Sequence, residues 1–483
     1  MDGDSLRQQL ARPHAHPSES ERLEWAGQVL EWALTHFKTL PEQPIGQYLQ
    51  RATLEPQLHQ PVPEQGQPFA DVLNEFQTKI TPNAFRTNHP RFLAFVPGAP
   101  SFPSVMGDWL CAASNFFCGV WLEASGPTQV EVTVLDWFKS ILGYPDEARG
   151  IITSGGSEAN LTALVVARNR LPFADRARAV LYGSEQRHWS IDRAANVIGL
   201  YPSQIRPVPA DSQYQLTAAA LAKAVAADRQ AGRLPWAVVA NAGATNTGTV
   251  DPLRPLAQFC DAEKLWLHVD AAYGGSAALI PEGMAALDGI AEADSITFDP
   301  HKWFGQTFEA GGLLVRQGRL LPETFALRPD YMQDVAPEEE EINFCDHGLA
   351  LTRRFRALKI WLSVKVFGLK WFRQLVERCF RLADFAQEEL ERAGNFEIVC
   401  PRQLSIICFR YRPKNWRGTD EDLDQLNLQL LEELRKTGRA FLSSTRLSGR
   451  VVVRMCFINW RTTSSDVEEI VALLKKIGEE MTV

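Results

Sequence analysis

Short apolar runs alternating with helical patterns between about Asn83 and Gly368 predict an α/β fold, a mainly parallel sheet covered by helices, followed by a smaller α+β region. Three observations carry this expectation. The runs GIITS, ARAVLYG, WAVVANAG and LWLHVD are strand-like, and each is followed by loop residues and then a helix-like segment. The chemically rich residues fall immediately after these runs, where ligands of such sheets bind at the carboxyl ends of strands. Beyond the helical pattern that begins RRFRALKIWLSVKVFG, the chain mixes strands (FEIVC, LSIICFRY, VVVRMCFIN) with a closing amphipathic helix from Ser465 to Met481.

In order along the chain, Leu23, Trp25, Ala26, Val29, Leu30 and Leu34 recur at helical spacing between Glu21 and Leu40. The stretch that follows, to about Pro82, is rich in Pro and Gln and reads as an extended linker. Residues 1–82 are therefore expected to be an arm that buries little on its own and packs on a partner subunit. Residues 83–368 form the expected large domain and 369–483 the small C-terminal one.

A chain of 483 residues, 45% of them hydrophobic, can bury a large core in two or three regions. Its 50 Lys and Arg against 58 Asp and Glu give a formal charge of -8, which argues against a surface for nucleic acid or anionic lipid. The polar N-terminal segment lacks the basic-then-apolar order of a secretory signal, and no stretch approaches the ~20 apolar residues of a membrane span. A cytoplasmic protein is expected. The 8 cysteines show no CxxC pair and no His at zinc-ligand spacing, so reduced buried thiols and no metal site are expected.

Four segments carry chemistry. GIITSGGSEANLTALVVAR runs from a strand through Gly156 and Ser157 into a helix, the form of a phosphate cradle in which backbone N–H groups, a hydroxyl and the positive helix end face an anion. By itself such a turn is more often a plain loop. The strand LWLHV ends in Asp270 and the small run that follows; a carboxylate there can keep a pyridine nitrogen protonated. A lone Asp, however, more often caps the next element. In SITFDPHKWF, Lys302 lies among apolar and aromatic residues, a setting that favours loss of its proton and attack on an aldehyde carbon; Asp299 and His301 stand beside it. His188 follows a strand and opens a helix, where a flat imidazole can stack on a cofactor ring. Together, in this order, the four are what one cofactor site requires.

TSGGSEANLTAL, HVDAAYGGSA and DPHKW resemble the group II pyridoxal-phosphate decarboxylases, the family of aromatic-L-amino-acid, histidine and glutamate decarboxylases, and the resemblance extends from about His89 to the C-terminus. It implies the aspartate-aminotransferase type of fold (fold type I), with a seven-stranded sheet, helices on both faces and an obligate homodimer whose active sites lie at the interface. It implies pyridoxal phosphate as cofactor, bound covalently by Lys302. Asp270 is then the pyridinium partner and His188 the stacking residue. Ala272 lies against the ring, Gly156, Ser157 and Thr245 near the phosphate, and His301 beside the lysine.

HKWFGQTFEAGG and TRRFRALKIWLSVKVFG resemble the aromatic and histidine branches more than the glutamate branch, so an aromatic L-amino acid is the expected substrate. HPRFLAFVPGAPSFPSVMGDWL is similar to the aromatic branch's substrate-lining segment. From it Phe95 and Pro97, with Phe117 of the partner subunit and Phe308, are expected to form an apolar slot; plain core packing is as good a reading for any one of them. One departure concerns the product. Counting back without gaps from Arg353 puts Phe344 where the family has a loop tyrosine that protonates the substrate carbon after CO2 leaves, and a phenyl ring has no proton to give. In plant members this exchange accompanies aldehyde synthase behaviour, with oxygen consumed and aldehyde, ammonia and peroxide released. Tyr331 or His347, in a loop that varies in length, are alternative donors. An acidic amino acid decarboxylase is the other reading, with Arg91 a candidate for the distal carboxylate.

Overall fold

The structure is a computed structural model that describes residues 3–11, 14–96, 98–327, 340–400 and 402–482. It divides into two compact units, Met1–His89 and Pro90–Val483.

In the first unit the helix Glu19–Thr39 opens with a capping box in which the Glu21 carboxylate accepts from the Ser18 N–H at 2.7 Å and the Ser18 hydroxyl accepts from the Glu21 N–H at 3.3 Å. The expected extended linker is instead partly helical, with helices Arg51–Leu58 and Phe69–Glu75. The reason is aromatic: Trp25 stacks on Phe69 at 5.0 Å and Trp32 meets Phe76 edge-on at 5.2 Å, so these rings draw the second segment onto the first. Leu23, Val29, Leu30 and Leu34 remain exposed.

The second unit is built on a seven-stranded sheet. Its strands are β1 (Arg149–Thr153), β2 (Ala179–Ser184), β3 (Ile205–Val208), β4 (Leu234–Asn241), β5 (Trp266–Asp270), β6 (Ser295–Phe298) and β7 (Gly311–Val315), in the order β1-β7-β6-β5-β4-β2-β3. Only β7 runs antiparallel, pairing Gly312 with Ile152 on one side and Phe298 on the other. A Cβ at Gly312 would lie 2.3 Å from the Phe298 ring, so glycine is required for that close passage. β4 and β5 are buried at almost every position, as strands covered on both faces must be. The helix Gly156–Asn169 covers one stretch with Ala159, Ala163, Leu164 and Ala167, and the helix Trp121–Leu142 contributes Val134, Leu135 and Phe138.

The helical pattern after Arg353 becomes Ala357–Ala393, broken at Gly368, where φ is 68°. Four antiparallel strands follow: β8 (Phe396–Cys400), β9 (Ile406–Tyr411), β10 (Ser443–Leu447) and β11 (Arg450–Cys456), ordered β10-β11-β9-β8. The capped helices Asp420–Lys436 and Ser464–Glu480 pack Leu423, Leu430, Val467 and Ile470 into their core. All 8 cysteines are free and buried, and no helix among the described residues is long and apolar enough to cross a membrane.

Candidate active site

Five parallel-running strand ends open onto one cavity of about 360 Å³. β1 delivers Ser154 to Ser157, β2 leads to His188, β4 leads to Thr245, β5 ends in Asp270 and β6 leads to Asp299, His301 and Lys302. Ala272 and Gly156 line the same cavity, so nine of the residues singled out in the sequence come together. Pro97 and Tyr331 lie outside the described residues.

The floor of the cradle is shaped by absence of side chains. A Cβ on Gly156 would stand 2.9 Å from Asp299 Oδ2 and 3.1 Å from the Ala272 Cβ. The loop is held from below by Glu158, whose carboxylate accepts from the Ser154 N–H at 2.7 Å and the Ser154 hydroxyl at 2.6 Å. Gly156 is the first residue of its helix, so unpaired N–H groups and the positive helix end face the cavity. Across from it, Asp251 accepts from the backbone N–H of Asn241 at 2.7 Å and of Leu216 at 2.7 Å, fixing the return of the loop that carries Thr245; burial raises its carboxyl to about 7.

Lys302 Nζ lies 3.2 Å from Asp299 Oδ2. Its apolar and aromatic chain neighbours thus leave it in contact with the carboxylate expected beside it. Trp303 and Phe304 turn into the core, Trp303 stacking between Tyr273 and Phe380, while the lysine alternates outward to a carboxylate and the cavity. Asp299 is nearly buried, and its Oδ1 has no hydrogen-bond partner among the described residues. His301 donates from Nδ1 to the Ala310 carbonyl at 2.7 Å, and its Nε2 stands 3.8 Å from Asp299; burial lowers its imidazole below the ordinary value.

Asp270 is buried and doubly held, its Oδ1 accepting from the Ala272 N–H at 3.2 Å and its Oδ2 from the Asn160 amide at 3.0 Å. His188 caps the helix Trp189–Val197, its Nδ1 accepting from the Ser190 hydroxyl at 2.7 Å and the Ser190 N–H at 3.3 Å. Both donors point at Nδ1, so the proton belongs on Nε2. Burial lowers this imidazole, with the Asp270 carboxylate opposing, so its neutral form is favoured.

Several expected substrate residues are not brought to the cavity within one chain. Phe95 and Phe117 are exposed and do not line it, and Phe308 stands at its edge, meeting the His301 ring at 5.3 Å. Phe344 is buried in a short helical turn under the Arg353 guanidinium, 5.3 Å from its ring, and does not line the cavity. His347 is buried beside it, burial lowers its imidazole to about 4, and it does not line this chain's cavity. Arg91 pairs with Asp466 at 3.0 Å and Glu469 at 3.7 Å and does not line the cavity. Conversely, Asn160 and Ser190 were passed over. Asn160 follows Gly156 by one helical turn and so shares its face, a spacing that signals the cavity side.

The cavity fits pyridoxal phosphate: an anion cradle at a helix N-terminus, a buried carboxylate, a neutral flat imidazole and an amine share one space. Known proteins agree. Residues 52–412 match the family described as the pyridoxal-dependent decarboxylase conserved domain. An aromatic-L-amino-acid decarboxylase from Bacillus atrophaeus is 40% identical over 96% of this chain and 97% of its own length. A phenylacetaldehyde synthase from Arabidopsis thaliana is 30% identical over 91% of this chain and 92% of its own. Oryza sativa TDC, solved with PLP and tryptamine, superposes with a TM-score of 0.92 at 28% identity, covering 98% of this chain and 100% of that one. Sequence, fold and cavity thus converge: the chain belongs to the pyridoxal-dependent amino acid decarboxylases, enzymes that work with pyridoxal phosphate.

Proposed function

We propose that this enzyme decarboxylates an aromatic L-amino acid to its amine and CO2. The observation that carries the substrate class is the charge of the cavity wall. Among its described lining residues Lys302 is the only Lys or Arg, while Glu158, Asp270, Asp299 and Glu309 are acidic. A substrate with a second carboxylate would be repelled there, and Arg91 is engaged elsewhere. The Bacillus relative, named for aromatic substrates, supports the same reading.

Bound pyridoxal phosphate supplies a sink for the electron pair left at Cα when CO2 departs. The chain's own part is to hold and orient. Gly156 and Ser157 would hold the phosphate, with Thr245 beside it, and Lys302 would hold the cofactor covalently until the substrate amine takes its place. Asp270 would face the ring nitrogen as an anion. His188, neutral and fixed by Ser190, would stack on the ring, and Ala272 would close the other face. The rest of the reading is a cytosolic homodimer. The free buried cysteines suit a reducing compartment, and the exposed apolar residues Phe102, Trp109, Leu110, Phe116, Phe117 and Leu122 suit a covered face.

The phenylacetaldehyde synthase relative favours a second reading of the product, with Phe344 at the tyrosine's place by sequence count although it is buried and does not line this chain's cavity. Without a phenol at that place, the carbon that has lost CO2 waits longer for its proton, and molecular oxygen competes. The balance is then amino acid plus O2 plus H2O giving aldehyde, CO2, NH3 and H2O2. Mass spectrometry of products formed in air from phenylalanine, tyrosine, tryptophan, dihydroxyphenylalanine, histidine, glutamate and aspartate, with peroxide assayed in parallel, tests both. Amine without peroxide supports decarboxylation alone, aldehyde with equal peroxide supports the second reading, and turnover of only glutamate or aspartate overturns both.

A further inference from the structure

β5 and β6 pair His268 with Ser295 and Asp270 with Thr297. Because side chains alternate along a strand, these four project to one face as a square. The helix Gly156–Asn169 covers that face, and where its neighbours present Ala159 and Ala163 to the core, it sets Asn160 over the square. The Asn160 amide spends its full capacity there. Its Nδ2 donates to Asp270 Oδ2 at 3.0 Å and to the Ser190 hydroxyl at 3.0 Å, while its Oδ1 accepts from the Thr297 hydroxyl at 2.7 Å and from His268 Nε2 at 2.9 Å. His268 is itself oriented by the Ser295 hydroxyl at 2.8 Å, which in turn accepts from the Trp266 indole at 3.0 Å. All of these side chains are buried.

We propose that Asn160 is a positioning residue that locks the carboxylate of Asp270 and, through Ser190, the imidazole of His188 into one rigid unit on the wall of the cavity that would hold the cofactor. Two features argue against a merely space-filling amide. An alanine or leucine would pack that helix position without burying polar atoms, so the polar choice is justified only by what it holds. And its two N–H bonds run to one site residue, Asp270, and to the support of another, Ser190 beside His188, so one side chain sets the distance between the two site residues. His268 serves as the anchor: burial lowers its imidazole to about 4, leaving it neutral with its Nε2 proton aimed at Asn160, which decides which end of the amide faces Asp270.

The test compares the holoenzyme with Asn160→Leu, Ser190→Ala and the double variant, reading three quantities: cofactor dissociation by equilibrium dialysis, the position of the visible absorption band, and kcat against KM. A lost hydrogen bond to a buried charge predicts that Asn160→Leu loosens the cofactor roughly tenfold or more, shifts the band and lowers kcat with KM little changed. Ser190→Ala should do less, and the double variant should fall short of the sum, because both changes cut one connection. Should Asn160→Leu fail to fold, Thr297→Val, which removes one of the bonds orienting the amide, is expected to loosen the cofactor about threefold. A folded Asn160→Leu enzyme, or failing that a Thr297→Val enzyme, that holds its cofactor as tightly as the parent overturns the proposal. So does a strictly additive double variant.

Discussion

Replacing Lys302 by Ala removes the only amine among the described residues lining the cavity, so borohydride should no longer fix cofactor to the chain and decarboxylation should be lost. Covalent trapping that survives the replacement would mean that another lysine does the work. Phe344→Tyr is a second residue-scale test: if oxygen competes for an unprotonated carbon, restoring a phenol should lower the peroxide-to-amine ratio at unchanged cofactor content, and an unmoved ratio would assign the proton to another group. Acidity acts on buried imidazoles. His268 and His347 are both lowered to about 4 by burial, so the unfolded chain binds more protons than the folded one between about 4 and 6.5. Their contribution to stability is complete above pH 6.5 and is lost progressively as pH falls toward 4. Urea titrations across that window should show the decline, and His347→Gln should remove roughly half of it. Residues of this kind divide by legibility. Lys302, Asp270 and His188 sit at strand ends with telling neighbours, whereas Asn160 gains its meaning only from β5 and β6 pairing beneath it.

At the scale of elements, Phe344 owes its burial to contacts that a count along the sequence does not carry. The count from Arg353 fixes its address, but its burial follows from Arg353 reaching across to Glu131 of the helix Trp121–Leu142 and donating to the Ile152 carbonyl at 3.1 Å. Glu131 also accepts from the Ile152 N–H at 2.9 Å, so one carboxylate fastens a helix, β1 and the segment after Phe344. Both members of the pair are 1% exposed. Glu131→Ala would leave a guanidinium buried without its counter-charge and should cost about 3–5 kcal/mol, read as a lowered denaturation midpoint. A loss under about 1 kcal/mol would mean that water reaches Arg353 and that this clamp is weak. The same scale separates the strands that could be read from those that could not. β1, β2, β4 and β5 are apolar because both faces are covered, while β3 and β10 are short edge strands with polar residues and carry no such pattern.

For the whole molecule, composition and alternation were enough for the class of fold, but a single chain cannot say where an exposed apolar residue goes. Phe117 is 37% exposed and Phe95 57%, more than rings in a one-chain pocket would be, and the Glu19–Thr39 helix keeps Leu23 at 69%. In the proposed homodimer a second copy in twofold symmetry would cover such residues. If Phe117 serves the neighbour's cavity, then Lys302→Ala and Phe117→Asp, each inactive alone, damage different sites when they share a dimer. Dissociating and reassociating an equal mixture should restore about a quarter of the parental activity, since half the dimers are mixed and each carries one intact site. Sedimentation of the mixture checks that dimers re-form. Recovery near zero in re-formed dimers would place Phe117 with its own chain's Lys302, and the apolar face would then serve assembly without contributing to catalysis.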